Sequence, residues 1–141
     1  ILRLYQAYGP RRDINRFIPI VIDACLKNKK FPCSDGKQYR DFAHVRDVVK
    51  AIYQSLGNKK AEGEIINIGS GKPKKIKKLI YFLRKKIKGG QPLLGHLKLR
   101  KEETLKIYPD ISKAKKILNW KPKIEFNKGL KETLKYYEAK K

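Results

Sequence analysis

Glu64-Ile65-Ile66-Asn67-Ile68-Gly69-Ser70-Gly71-Lys72-Pro73 leads directly into Lys74-Lys75-Ile76-Lys77-Lys78-Leu79-Ile80-Tyr81-Phe82-Leu83-Arg84-Lys85-Lys86-Ile87. The first part is a short apolar run closed by a glycine turn, which reads as a strand. In the second, Ile76, Leu79, Ile80, Leu83 and Ile87 recur at helical spacing, and Lys74, Lys75, Lys77, Lys78, Lys85 and Lys88 are left for the wet face. The helix starts just past Pro73 and ends at Gly89-Gly90. Strand, tight turn and amphipathic helix in succession make an α/β unit.

The pattern continues on both sides. Residues 1–8 read as one apolar strand stopped by Gly9-Pro10. Phe17, Ile18, Val21, Ile22, Cys25 and Leu26 share a helical face, with Asn15 placed to cap it and Pro19 tolerable in its first turn. Ser34-Asp35-Gly36 is a turn, Tyr39 to Val45 an extended stretch, and Asp47 an N-cap for a helix carrying Val48, Val49, Ile52, Tyr53 and Leu56. Towards the C-terminus, His96 to Arg100 suggests a short strand. Ile111 to Leu118 suggests a small helix with Ala114, Ile117 and Leu118 inward, and a last helix runs from about Asn127. Residues 1–8 and 64–68 are apolar on both faces, as in a sheet covered on both sides, yet the helices are too few to cover it. Ile1 therefore reads as an internal position of a longer protein whose N-terminal half is missing.

Composition narrows the function classes. In 141 residues, 40% apolar and 35% charged, apolar positions recur in every segment but the last, so a folded domain is expected. No apolar run approaches a membrane span of roughly 18 residues, and nothing reads as an export signal. Cys25 and Cys33 lack companions at zinc-ligand spacing, and His44 and His96 are isolated, so reduced thiols and ordinary packing are expected. The net charge of +23 raises a rival reading, a basic, non-enzymatic nucleic-acid-binding domain. Of the 36 basic residues, however, 28 are lysines, which fit a solvated surface better than a base- or phosphate-reading one.

The motifs that suggest a phosphate loop fail when tested. Pro73 stands where a Walker A loop needs Ser or Thr, and Lys74 stands where a dinucleotide fingerprint needs its third glycine. The loop reads as a turn feeding a helix, and no catalytic centre can be assembled from these residues. Two arginines remain in ordered settings. Arg40 and Arg100 can either converge on a diphosphate or pair with a neighbouring carboxylate such as Asp41 or Glu103, and local sequence does not separate the two.

Taken together, five ordered stretches resemble the C-terminal motifs of the extended short-chain dehydrogenase/reductases, the NAD-dependent nucleotide-sugar epimerases and dehydratases. They are Arg3-Leu4-Tyr5-Gln6-Ala7-Tyr8-Gly9-Pro10-Arg11, Asn15-Arg16-Phe17-Ile18-Pro19, Gly36 through Phe42 with Val45 to Val49, Ile66 to Gly71, and Asp110 to Ala114 with Leu118-Asn119-Trp120-Lys121-Pro122. The resemblance implies an α/β fold, the C-terminal portion of an NAD(P)-binding Rossmann-like fold, mostly its smaller substrate-binding domain. Residues 1–141 would form the nucleotide-sugar-binding part, with 1–10 and about 64–71 as late strands of a truncated sheet and ligand in the crevice at its edge.

By the same resemblance Arg40 and Arg100 clamp the diphosphate, Glu103 bonds ribose hydroxyls and Tyr108 lies near the ribose. Asn15, Arg16 and Phe17 hold the nucleotide, Phe31 and Cys33 run beside the base, Gln6 touches substrate, and Tyr5 and Ala7 approach the cofactor. Gln6 replaces the Asn of many members, Lys101-Glu102 a Pro-Gly, and Asn119 a Gly. Trp120, Ser112 and Asn67 read as packing or capping residues. The family's catalytic Tyr and Lys lie upstream of Ile1; Tyr136 and Lys140 have their spacing but read as an exposed helical pair. The implied parent is a cytoplasmic, homodimeric isomerase or lyase of polysaccharide-precursor synthesis, using NAD or NADP and a nucleoside-diphosphate sugar. This part alone should bind without turnover.

Overall fold

The computed structural model describes residues 1–11 and 15–140. In chain order the elements are β1 (Leu2–Leu4), β2 (Gln6–Tyr8), α1 (Phe17–Leu26), β3 (Lys30–Pro32), β4 (Tyr39–Arg40), β5 (Phe42–His44) and α2 (Val45–Ser55). After a 3₁₀ turn at Lys59–Ala61 come β6 (Ile66–Ile68), β7 (Lys74–Lys75), α3 (Ile76–Ile87), β8 (Gln91–Leu93), β9 (Lys106–Ile107), α4 (Ser112–Leu118) and α5 (Phe126–Glu138).

The expected first strand divides at Tyr5 and changes neighbour. β1 pairs in parallel with β6, Leu2 opposite Ile66 and Leu4 opposite Ile68, and the Tyr5 N–H still donates to the Ile68 carbonyl at 2.9 Å. β2 then pairs in parallel with β5, Gln6 opposite Phe42 and Tyr8 opposite His44. Side chains alternate across a strand, so this second pair divides the interior. Tyr8 and Phe42 enter one core, while Ala43, with Ala7 beside it, enters another.

The first core lies between α1, α3 and α5. Ile18, Val21, Ile22 and Cys25 of α1 meet Ile76, Leu79, Ile80 and Leu83 of α3, as the helical periodicity predicts. Each large side chain removed from water there contributes roughly 1.5–3 kcal/mol. Gly90 lets the chain turn back against α1: its φ is +81°, and a Cβ would lie 2.8 Å from the Cys25 Cα. The second core gathers Val48 and Ala51 of α2, Ile66 and Ile68 of β6, Ala114 and Leu118 of α4, and Trp120. Trp120 is 1% exposed, and its indole N–H donates to the Asp47 carbonyl at 2.9 Å.

Several local expectations are corrected. α1 begins after Arg16 with no side-chain cap, not after Asn15. His44 caps α2, accepting from the Arg46 N–H, while Asp47 sits inside the first turn and accepts from the Lys123 and Ile124 N–H groups at 3.1 and 2.9 Å. Lys74 and Lys75 form β7, antiparallel to β4, rather than the start of α3. α3 ends on Lys88 in the left-handed region, φ +60°, before the two glycines. His96 to Arg100 is not a strand. The strands of this region are β8, which pairs with β3, and β9, which pairs with β4. Among the described residues no helix is long and apolar enough to cross a membrane, and no group of three or more His, Cys, Asp or Glu side chains is placed to hold a metal.

Candidate functional site

An open cleft of about 870 Å³ runs over β2 and β5. Asn15, Arg16 and Phe17 at the head of α1 form one wall, and Val45, Val48, Val49 and Ile52 of α2 form the other. Arg40 and Asp41 close one end beside Ile107. Arg3, Arg16 and Arg40 line the cleft together with many apolar side chains, a mixture that suits a ligand joining an organic body to an anion.

Asp41 fixes that end. Buried at 1% exposure, its carboxylate accepts from the Ser70 N–H at 2.6 Å, the Ser70 hydroxyl at 2.7 Å and the Lys72 N–H at 3.1 Å. The glycine loop after β6 thus gives its amides to an anion of the chain itself. A Cβ on Gly69 would lie 2.4 Å from Pro109 Cγ and 2.7 Å from Asp41 Oδ1, so the loop is packed closely against the Pro109 ring and the Asp41 carboxylate. It remains a turn, as expected, although β7 intervenes before the helix.

The neighbouring Arg40 is also nearly buried, at 9% exposure, and a buried guanidinium needs partners. Nη1 donates to its neighbour's carbonyl, Tyr39 O, at 2.7 Å, and Nη2 forms an ion pair with Glu103 Oε1. Glu103 arrives from the segment between β8 and β9, where the Glu103 N–H donates to the Arg100 carbonyl at 3.0 Å.

Beneath the cleft lies a Tyr-His contact. Tyr8 meets His44 edge to face at 5.3 Å, and its hydroxyl donates to the Phe126 carbonyl at 3.1 Å. Burial first, then the carboxylates of Glu125, Asp47 and Glu132, push the Tyr8 hydroxyl well above the ordinary phenol range, so it holds its proton as a structural donor. His44 Nδ1 accepts from the Arg46 N–H at 3.3 Å, which assigns the proton to Nε2, 3.8 Å from Glu132 Oε2. Burial and then Arg46 lower the His44 pKa, only partly offset by Glu132 and Asp47, so the neutral ring is favoured.

The residues singled out by sequence divide into two groups. Tyr5, Gln6, Ala7, Asn15, Arg16, Phe17 and Arg40 line the cleft, and Glu103 reaches it through Arg40. Phe31 and Cys33, 6% and 7% exposed, face the α1–α3 core, where burial raises the Cys25 and Cys33 thiols above their ordinary range. Arg100 is exposed on its turn and does not line the cleft, and Tyr108 is exposed while its neighbour Ile107 does line it. Sequence reasoning missed Arg3, which lines the cleft from β1, and the α2 wall. Arg3 carried a signal, a charge inside an apolar strand that has to face solvent or a ligand.

The α2 wall continues outward. Val49, Ile52, Tyr53 and Leu56 recur at helical spacing yet are 58%, 40%, 76% and 70% exposed. β1, whose Leu4 is exposed along with the preceding Ile1, has β6 as its one strand partner among the described residues.

A family model described as GDP-mannose 4,6 dehydratase matches residues 1–133. UDP-glucuronate 4-epimerase of Thermodesulfobacterium geofontis is 37% identical over 141 residues, an alignment covering 96% of this chain and 42% of that protein. The structure of UDP-glucuronic acid 4-epimerase from Bacillus cereus, in complex with UDP-glucuronic acid and NAD, aligns with a TM-score of 0.88 at 30% identity, over 99% of this chain and 45% of that one. The UDP-glucose 4-epimerase of Thermotoga maritima, solved with UDP-glucose, aligns with a TM-score of 0.88 at 29% identity, over 99% and 45%. The chain spans less than half the length of these relatives.

Proposed function

The chain belongs to the GDP-mannose 4,6-dehydratase family, the extended short-chain dehydrogenase/reductases whose relatives here are nucleotide-sugar epimerases and dehydratases, and we propose that it is the part of such an enzyme that holds the nucleotide sugar. The observation that carries this reading is Arg40, a nearly buried guanidinium at the closed end of a cleft whose wall is Asn15-Arg16-Phe17. A diphosphate there would take charge-assisted hydrogen bonds from Arg40 and from Arg100, once the turn carrying Arg100 moves inward. Gln6 faces the sugar, and Tyr5 and Ala7 lie toward the cofactor. Phe31 and Cys33 have core-facing side chains, and the Cys33 N–H and carbonyl are bonded to Leu93 and Leu97, so this segment would border a base by contact; Tyr108 and Glu103 would border the ribose.

The rest of the enzyme is proposed to cover the apolar α2 stripe and to extend the sheet at β1. Two-stranded parallel pairs with exposed apolar flanks do not stand alone in water. That half would supply the Tyr and Lys of the transient oxidation and most of the NAD or NADP site, in a cytoplasmic, homodimeric enzyme of polysaccharide-precursor synthesis. Residues 1–141 alone would bind without turnover. The family match gives no support to the nucleic-acid reading.

Calorimetric titration of the full-length protein with a nucleoside diphosphate tests the clamp. Arg40→Ala should weaken binding roughly 10- to 150-fold, the equivalent of about 1.5–3 kcal/mol for a hydrogen bond to a charged group. Arg100→Ala should weaken it in the same direction, and unchanged affinity in both variants refutes the reading.

A further inference from the structure

Arg40 already has an anionic partner within the chain. Its Nη1 is committed to the Tyr39 carbonyl and its Nη2 to Glu103, whose side chain is 26% exposed. A carboxylate and a phosphate use the same face of a guanidinium in the same bidentate manner. They also repel each other at contact distance, so a diphosphate on this guanidinium works against the Glu103 carboxylate already there.

Glu103 is also free to leave. The segment that carries it is pinned at one end by the Leu97 N–H donating to the Cys33 carbonyl at 3.0 Å, and at the other by the Tyr39 N–H donating to Leu105 O at 2.6 Å, where β9 joins β4. Between those pins the chain has no regular element, only the turn from Arg100 to Glu103.

We propose that Glu103 is a built-in competitor for Arg40 that sets ligand specificity. A diphosphate is favoured when the same ligand offers alcohol hydroxyls to the displaced carboxylate, and inorganic pyrophosphate, which carries none, is disfavoured. This rests on the assignment of Arg40 as the diphosphate clamp. It adds that the clamp and the hydroxyl acceptor are one coupled pair, so the ion pair opposes simple phosphates and is relieved by a nucleotide.

The test is titration of the full-length protein with inorganic pyrophosphate and, separately, with a nucleoside diphosphate. Glu103→Gln keeps the side-chain length and removes the charge, and Glu103→Ala guards against a new hydrogen bond in the first variant. Both should tighten pyrophosphate binding about tenfold, near the lower value of a charged hydrogen bond, without tightening the nucleoside diphosphate to the same degree. Pyrophosphate affinity unchanged or weakened in both variants overturns the competition while leaving the clamp intact. If instead Arg40→Ala leaves nucleoside-diphosphate affinity unchanged, the clamp itself fails and the competition with it.

Discussion

Replacing Asp41 by Asn should cost far more than an isosteric change usually does. One carboxylate oxygen accepts from the Ser70 N–H, and the other from the Ser70 hydroxyl and the Lys72 N–H. An amide has one oxygen, so either orientation turns an NH₂ group onto a backbone N–H that cannot accept. A serine hydroxyl can reverse its role, but a backbone donor cannot. The Lys72 N–H also donates to the Ser70 hydroxyl oxygen at 3.0 Å, so it keeps one acceptor; the loss is that of its bond to Asp41, about 0.5–1.5 kcal/mol, and the remaining bonds lose about half their strength with the charge. The expected loss is roughly 1–3 kcal/mol, set against an ordinary domain's stability of about 5–15 kcal/mol. Urea unfolding of wild type and variant should show a lower midpoint at unchanged slope. A loss below about 1 kcal/mol would mean that the 69–72 loop is held by something other than this carboxylate.

Gly129→Ala places a Cβ 2.5 Å from the Tyr8 hydroxyl and 2.7 Å from His44 Cδ2. Helix propensity alone favours Ala by about 1 kcal/mol, but overpacking at about 1–3 kcal/mol outweighs it because Tyr8 is tethered to Phe126; a stabilised variant in thermal melts would contradict that packing. Trp120→Phe removes the donor to Asp47 and leaves a void in the second core, so unfolding should show a loss of roughly 2–4 kcal/mol, and a change under 1 kcal/mol would sink the proposed anchoring. His44 has a lowered pKa in the folded chain, so its contribution is complete above the unfolded value of about 6.5 and declines as pH falls below it. Stability measured against pH should fall on acidification through that window, and His44→Asn, which retains a capping oxygen, should flatten the slope; an identical slope in the variant would remove His44 as its cause.

The long periodic elements were legible because their signal is local. α1 runs over Phe17–Leu26 and α3 buries Ile76, Leu79, Ile80 and Leu83, as read from spacing alone. The parallel strands β3, β8 and β9 were not, since two or three residues hold barely one alternation and their partners lie some sixty positions away or more. Caps failed for a related reason. Asp47 has the right chemistry to cap α2, but Lys123 and Ile124, 76 and 77 residues on, take its carboxylate. Much of the cleft was legible as motif, from Gln6 to Arg40. The fate of the glycine loop was not, because only folding brings Asp41 to Ser70. For Arg40, local sequence left a ligand and a carboxylate equally open, and the chain pairs it with Glu103 rather than with the adjacent Asp41.

The central claim is where the anion sits, and a crystal structure of the full-length protein with a nucleoside diphosphate tests it most directly. The account predicts diphosphate oxygens on the Arg40 guanidinium, Glu103 turned away from it and Arg100 drawn in from solvent. A diphosphate bound elsewhere, with the Arg40–Glu103 pair still closed and the cleft filled by other parts of the protein, would contradict it.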